Sequence, residues 1–469
     1  MKKLLFPVFI ALSLPLFAQD EVQMLSIEQC RELALQHNKT LQSAALGTEA
    51  ARYTKRATLG LFFPNISLTG MAGYSNTDGS LGMNVRQTAA GMLSTVMPGL
   101  PAPIQAQLKQ LAPGVLNTLP TNQSILEYEL GWMYTGGVML RQPIFMGGKI
   151  IAGYKMSKLA LEASRQNERK TRAEVIEEAD QAYANVVKAT EMKKVAEQYL
   201  LLLKQLDSNV ESAVRNGVKL QNDRLKVQVK LDEVQLQLTQ AENAIRLATM
   251  NLCHVTGMPL SSRVAVSSEY PRVDDAALLS GSSDVTSRPE YAMLEAQAQV
   301  ARQEVNVSRA AWLPQLGLLA YYGYTSGVKI NGRKLLDSWG FAGGVTLSVP
   351  LFHFGADYFK TKAAKVKAQQ VELDRENYVE LMQLQLAKEG NNLEESAQEV
   401  ALTEKGLEQA TLNRELSEKQ YKAGTETLSD LLEAQALWQQ AWQRRIEAQF
   451  RRYLASVAYL KAAGRLVEE

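Results

Sequence analysis

The stretch VQVKLDEVQLQLTQAENAIRLATMNL, residues 227–252, places an apolar residue at alternating steps of four and three positions. The members of this seam are Val227, Leu231, Val234, Leu238, Ala241, Ile245, Ala248 and Leu252. A repeat of about 3.5 residues is typical of helices that supercoil around one another. The stretch therefore predicts a long helix that packs lengthwise against other helices.

The segment that precedes this stretch continues the pattern over a greater length. Its seam consists of Val175, Ala179, Ala182, Val186, Ala189, Ala196, Leu200, Leu203, Val210 and Val214, with Lys193 and Asp207 as polar exceptions. Residues 148–215 number 68, and at about 1.5 Å per residue they would make a helix of about 100 Å. A soluble coiled-coil rod would be the preferred interpretation if the chain had no strands.

A second apolar set, Leu225, Val229 and Leu236, lies beside the first seam. A helix that is apolar on two flanks can pack against a neighbour on each side, as in a closed ring of helices. A two-stranded coil needs only one seam, so the pattern favours the ring.

Short alternating segments predict strands of a membrane β-barrel. Ile66 and Leu68 share one face of the first strand, and Val345, Leu347 and Val349 share one face of the last. After the N-terminal apolar run the sequence has no uninterrupted apolar stretch of about 18 residues, so any membrane segment should be β. The edge of a soluble sandwich is the alternative for each strand alone.

Aromatic residues cluster at the loop-facing ends of these predicted strands, which indicates an interfacial girdle. They are Tyr74, Trp132, Tyr134, Tyr322, Tyr324 and Trp339. Four strands per chain cannot close a barrel with a useful lumen. The barrel interpretation therefore requires several copies of the chain.

The two halves of the chain contain the same predicted elements in the same order: a helix, two strands and two very long helices. Phe63-Pro64-Asn65-Ile66 matches Leu313-Pro314-Gln315-Leu316, and Arg215-Asn216-Gly217-Val218 matches Lys422-Ala423-Gly424-Thr425. We predict a signal peptide at 1–18, a first repeat at 19–256, a connector at 257–287 and a second repeat at 288–469. Residues 75–131 are predicted to form a long loop, for which a lid over the pore, a surface feature and a floppy loop are the open alternatives, and residues 325–338 a short one.

Composition excludes several function classes. Lys and Arg number 51 against 49 Asp and Glu, so charge gives no case for nucleic-acid binding. His37, His254 and His353 are scattered without metal-ligand spacing, and no glycine-rich phosphate loop follows a strand. We therefore predict no enzyme, no metal and no cofactor. Cys30 and Cys253 could form a disulfide, but small buried apolar side chains are the preferred interpretation.

Three kinds of segment resemble one known family. The first is LSIEQCRELALQHN at 25–38, and the second comprises Pro143-Ile144-Phe145 and Pro350-Leu351-Phe352, each followed by glycine. The third is YKAGTETLSDLLEAQ at 421–435. Together they resemble the opening helix, the strand-to-helix junctions and the most recognisable helix turn of the TolC-like outer-membrane efflux proteins.

The resemblance implies a mainly α fold with a membrane β-barrel portion, assembled as a homotrimer in the outer membrane. Twelve strands would form one barrel, and twelve long helices one periplasmic tunnel. Partners would be outer-membrane lipid, a periplasmic adaptor and an inner-membrane pump, with no nucleic acid. The cargo would be small molecules such as drugs or metals. Type I protein secretion is the first alternative, and a periplasmic coiled-coil adaptor the second.

The resemblance also implies site residues. The helix turns formed by Asn216, Gly217 and Val218 and by Ala423, Gly424 and Thr425 would contact the adaptor, since glycine accepts the positive φ of a tight reversal. Asp430 and Glu433, three residues apart on one helix face, would form the pore constriction; two solvated surface acids are the alternative.

Asp223, Tyr421 and Glu426 are the candidates for a latch that keeps the constriction shut. The best-known relatives carry a basic residue at the position of Glu426, so Glu426 and Asp223 would face each other as two acids. A latch would then use other partners, such as Lys219, Arg224 or Lys422.

Overall fold

The computed structural model describes residues 23–99, 102–121, 123–267, 270, 278 and 284–466. The predicted signal peptide and part of the predicted connector lie outside these residues. The chain divides into two compact units. The first consists of the chain up to residue 55, residues 156–302 and the chain from residue 365, and the second of residues 56–155 and 303–364.

The described residues are mainly helical. In chain order the α-helices are α1 (Ile27–His37), α2 (Lys39–Gly60), α3 (Val85–Val96), α4 (Ala102–Thr118), α5 (Lys149–Arg215), α6 (Gln221–Val255), α7 (Pro289–Arg309), α8 (Ala356–Ala423) and α9 (Leu428–Ala462). The strands are β1 (Gln23–Leu25), β2 (Asn65–Tyr74), β3 (Asp78–Met83), β4 (Gln123–Met146), β5 (Val264–Val266), β6 (Gln315–Ile330) and β7 (Arg333–Ser348). In each half the strands are thus followed by two long helices, α5 and α6 in the first half and α8 and α9 in the second.

The first unit has a core between the opening helix and the middle of α5. Ser26 caps α1 in a capping box with Gln29, and the helix buries Ile27, Cys30 and Ala34. Strands β1 and β5 pair in parallel, so part of the predicted connector packs onto this core, where Val264 and Val266 are buried. Both cysteines are buried and free, as the preferred interpretation predicted.

A buried ion pair attaches the opening helix to α5. Arg31 donates two hydrogen bonds of 2.8 Å, from Nε and Nη2, to the two carboxylate oxygens of Asp180. The Asp180 side chain has no exposed surface. Since an uncompensated buried charge is costly, the pair fixes where α1 meets α5.

The predicted seam is the packed side of the long helices. Val175, Ala179, Leu203 and Val227 are among its fully or almost fully buried residues. The second apolar set on α6 stays exposed in the single chain.

The second unit is built on an antiparallel sheet with the strand order β2-β4-β6-β7, in which β3 also pairs with β4. Ile66 lies opposite Leu140, and Leu316 opposite Leu347. The register therefore places the apolar residues of adjacent strands side by side on one face.

The strands are longer than predicted. Asn331 and Gly332 both have positive φ, 49° and 76°, which is the conformation of a two-residue hairpin turn. The prediction of a loop over 325–338 is therefore wrong, because β6 and β7 continue up to this turn. The segment 75–131 is not a plain loop either, since it holds β3, α3, α4 and the start of β4.

Candidate functional site

The turn between α5 and α6 contains the first predicted glycine. Gly217 has φ 74°, and its N–H donates to the carbonyl oxygen of Val214 at 3.0 Å. The Val218 N–H donates to the carbonyl oxygen of Ala213 at 2.8 Å. These two bonds make a Schellman motif, which satisfies carbonyls at the end of α5 and requires the left-handed residue.

The turn between α8 and α9 repeats this backbone. Gly424 has φ 77°, and its N–H donates to the carbonyl oxygen of Tyr421 at 3.1 Å. The Thr425 N–H donates to the carbonyl oxygen of Gln420 at 3.0 Å. The two reversals therefore share one hydrogen-bond pattern, as expected of duplicated segments.

The helix starts that follow the turns differ. Thr427 caps α9: its Oγ1 accepts from the Asp430 N–H at 3.3 Å, while Asp430 Oδ2 accepts from the Thr427 N–H at 3.1 Å and from its hydroxyl at 2.6 Å. These hydrogen bonds lower the pKa of Asp430, since they favour the charged carboxylate. Leu220 occupies the corresponding position before α6 and offers no side-chain cap.

The predicted constriction residues lie on the unpacked side of α9. Asp430 and Glu433 are exposed, whereas Leu431, Leu432 and Ala434 between and beside them are buried. Asp430 therefore has a structural role in the helix cap as well as a free face. The pattern Thr-x-x-Asp at 427–430 could have revealed this cap from the sequence.

Side chains join the two turns directly. The Lys219 ammonium lies 5.0 Å from the centre of the Tyr421 ring, a cation–π geometry. Burial, and secondarily the charge of Asp223, raises the pKa of Tyr421. Lys226 Nζ donates to Ser429 Oγ at 3.4 Å, so α6 also contacts the start of α9.

The remaining latch candidates have local partners. Arg224 lies 3.1 Å from Glu211, and Lys422 lies 2.7 Å from Glu418, so both cations stay within their own helical hairpins. One carboxylate oxygen of Glu426 is buried and receives no hydrogen bond from the described residues. Of the three predicted alternative cations, Lys219 is the one that joins the two turns.

An aromatic and aliphatic cluster supports the turns from within the helices. Leu203, Val227, Leu431 and Trp438 belong to it, and the guanidinium of Arg414 lies 4.7 Å from the Trp438 ring. The cluster lies close in sequence to both turns. Its packing therefore holds both reversals at the same end of the packed helices.

No group of three or more His, Cys, Asp or Glu side chains in the described part of the chain could hold a metal ion. None of the helices in that part combines the length and the apolar content needed to cross a membrane.

Two known proteins with similar sequences are an export protein and a secretion protein. The chain is 26% identical over 321 residues to the pyoverdine export outer membrane protein OpmQ of Pseudomonas putida, a match that covers 65% of each protein. It is 26% identical over 359 residues to the alkaline protease secretion protein AprF of Pseudomonas aeruginosa, covering 72% of this chain and 70% of AprF.

The fold resembles that of the Campylobacter jejuni CmeC outer membrane channel, with a TM-score of 0.73, 18% identity and coverage of 93% of this chain and 85% of CmeC. The sequence profile of the family described as outer membrane efflux protein matches residues 30–258 and 285–465. The mainly α fold with long helices and strands, and the family resemblance, both predicted from the sequence, are thereby confirmed. This chain belongs to the outer membrane efflux protein family.

Proposed function

We propose that three copies of this chain form one outer-membrane channel, which passes small molecules from an inner-membrane pump and a periplasmic adaptor to the exterior. The open sheet of the second unit carries this proposal. Among the described strands, β2 and β7 each pair on one side only. Free strand edges cannot remain in a bilayer, and three copies of the four-strand path give the twelve strands of a closed barrel.

The surface of the sheet suits lipid. Leu68 is 84% exposed and Phe341 74% exposed, and Ile66, Val345 and Leu347 are exposed as well. Such a row of apolar side chains on alternate positions is what the outside of a membrane barrel requires.

Aromatic pairs lie where β2 ends and near the middle of the longer strands β4, β6 and β7. The rings of Tyr74 and Trp132 lie 5.4 Å apart, as do those of Tyr322 and Trp339. In the assembled channel these four side chains form part of the girdle at the membrane–water boundary.

The helical part supports the same assembly. Leu225, Val229 and Leu236 form an exposed apolar flank on α6, which a neighbouring copy covers when the helices close into a tunnel. Transport energy comes from the partner pump, and we assign no catalytic role to the chain.

The two helix turns form the adaptor contact in this proposal. Apart from each glycine and its chain neighbours, no heavy atom of the described residues lies within 4 Å of the position that a Cβ would take at Gly217 or Gly424, so both reversals present open surfaces. Asp430 and Glu433 line the constriction next to them, and the Lys219–Tyr421 contact belongs to the latch.

Protein secretion is the second candidate. The similarity to AprF favours it, whereas the similarity to OpmQ favours export of a small molecule. A strain that lacks this chain distinguishes the two: loss of resistance to drugs or metals supports efflux, and loss of a secreted protein supports secretion.

The channel itself is tested with detergent-extracted protein. We expect an unboiled sample to migrate as a trimer that boiling converts to monomer, and the unboiled sample to conduct ions in planar bilayers. A monomer that is soluble without detergent and does not conduct contradicts the proposal.

A further inference from the structure

The segment between β3 and β4 forms a helical hairpin that the channel function does not explain. Helices α3 and α4 make up this hairpin, of which the structure describes residues 84–99 and 102–118. Asn84 caps α3 by accepting the Gln87 N–H at 3.1 Å. Arg86 Nη2 donates to the carbonyl oxygens of Asn117 and Leu119 at 2.9 and 3.2 Å, so the start of α3 is tied to the end of α4 and the helices are antiparallel.

Strand pairing and hydrogen bonds attach the hairpin to the sheet. Strand β3 pairs with residues 123–129 of β4, at the end of β4 that lies away from its junction with α5. Glu127 of β4 also exchanges two hydrogen bonds with Asn331 of the β6–β7 turn: the Asn331 N–H donates to the Glu127 carbonyl oxygen at 2.7 Å, and the side-chain Oδ1 of Asn331 accepts the Glu127 N–H at 2.7 Å. The hairpin is therefore attached to the loop end of the sheet.

One side of the hairpin is apolar and uncovered. Met92 and Val96 form a ridge on α3, and Leu111 and Val115 a ridge on α4; each of the four is 58–66% exposed. On each helix the ridge lies one residue before the half-buried face: Met92 precedes the half-buried Leu93 on α3, and Leu111 precedes the half-buried Ala112 on α4. Each ridge is therefore rotated by the same angle from the half-buried face of its helix. Because the helices run antiparallel, equal rotations place both ridges on the same side.

The same segment carries almost no charge. Residues 84–122 contain no Asp or Glu, and their only cations are Arg86, which binds the end of α4, and Lys109. An anionic lipid surface attracts helices whose polar face is rich in Lys and Arg, which this hairpin lacks. Rotational symmetry brings identical residues together at the axis, where like charges would repel. A nearly uncharged apolar side fits contact with its own copies.

We propose that the hairpins of three copies meet through these ridges above the mouth of the barrel and form a lid on the channel. This inference rests on the proposed trimeric channel. The occupant of the apolar side is a second copy of the chain, and Met92 and Leu111 lie at the contact between copies.

The test uses the full-length protein with single cysteines. Met92→Cys and Leu111→Cys, oxidised in the detergent-extracted trimer, are expected to give covalent dimers on denaturing gels. Ser94→Cys is the matched control, because Ser94 is exposed on the same helix but lies about 200° around it from Met92. Thiols join only when their Cα atoms come within about 7 Å, so we expect at least about tenfold less dimer from the control. The native thiols are buried and give the background.

The other outcomes contradict either the lid or the channel itself. An intact trimer without cross-links at Met92→Cys and Leu111→Cys contradicts the lid and leaves the channel standing. Quenching of a fluorophore on Met92→Cys by brominated phospholipids shows that the hairpin lies on the membrane and also contradicts the lid. A chain that never forms trimers contradicts the proposed function itself, and the lid falls with it.

Discussion

At the residue scale, Leu220 and Thr427 hold equivalent positions before α6 and α9, but only Thr427 caps its helix. Thr427→Ala should destabilise the start of α9 by about 1 kcal/mol, the usual cost of losing an N-cap hydroxyl. Leu220→Thr should stabilise the start of α6, since Asp223 already stands where the capping box needs an acid. Amide hydrogen exchange of the first turn of each helix measures both effects. Unchanged exchange in Thr427→Ala contradicts the cap.

The cap also predicts a pH dependence. The pKa of Asp430 is lower in the folded chain than in the unfolded one, so its contribution to stability is present above the unfolded pKa of about 3.9 and is lost as the pH falls through the lower folded value. The difference in thermal stability between the wild type and Thr427→Ala should therefore be constant near neutral pH and shrink only below about pH 4. A difference that shrinks between about pH 7 and pH 5 would exclude this carboxylate as the cause.

The turn glycines give a third prediction. Gly217 has open space around it, so only its positive φ restricts substitution. Gly217→Val should strain the turn by about 1–2 kcal/mol and abolish export, with trimer assembly intact because the turn lies outside the packed seam. Gly217→Asn is the control, since Asn tolerates this conformation and should keep most export. Normal export by Gly217→Val argues against an adaptor contact at this turn.

Many of these residue-level features could be predicted from the sequence, but some could not. The positive φ of Gly217 and Gly424 follows from their place between two helical patterns. The Lys219–Tyr421 contact could not be foreseen, because it depends on how two hairpins about 200 residues apart pack together. Phe354 has φ 48°, but a phenylalanine gives no sign in the sequence of a positive φ. The first repeat has Gly147 at the matching position.

At the element scale, the Arg31–Asp180 pair decides how α1 attaches to α5. Arg31→Met leaves the Asp180 carboxylate buried without its cation and should cost about 3–5 kcal/mol, whereas replacing both residues by apolar ones should recover most of that loss. We expect α1 to lose protection from hydrogen exchange in Arg31→Met and to regain it in the Arg31→Met/Asp180→Leu double variant. Equal protection in all three proteins would mean that the aliphatic contacts of α1 suffice without the pair.

The long helices were the most predictable elements, because the seam from Val175 to Leu252 repeats over many turns and no single residue decides it. Strand ends were less predictable. Asn331-Gly332 is a strong hairpin signal, but the polar residues around it were interpreted as loop. Helices α3 and α4 were missed because Pro98, Pro101, Pro103, Pro113 and Pro120 indicate loop locally, whereas the folded segment is held by the Asn84 cap on α3 and by the hydrogen bonds from Arg86 to the end of α4.

At the scale of the whole molecule, an assembly must supply what one chain leaves unsatisfied. In a single chain the four-strand path β2-β4-β6-β7 ends in two free sheet edges, and apolar flanks stay exposed on these strands and on α6. The sequence predicted that four strands need partners, but the number of copies came from the family resemblance. Cargo identity has no residue-level signal, since relatives that export a pyoverdine and secrete a protease are equally similar to this chain.

The assembled channel gives the last prediction. In the proposed trimer, threefold symmetry would turn Asp430 and Glu433 into rings of carboxylates, and such rings attract and trap multivalent cations. Asp430→Asn/Glu433→Gln should weaken block by a trivalent cation about tenfold or more in planar bilayers, or about 1.4 kcal/mol, while the introduced carboxamide at position 430 keeps an oxygen for the helix cap. Glu447→Gln is the control: Glu447 is exposed on the same helix, two heptads from Glu433, and therefore about 21 Å further from the turn. If block weakens equally in both proteins, the cation site extends along the tunnel. If block is unchanged in the double variant, the constriction lies elsewhere.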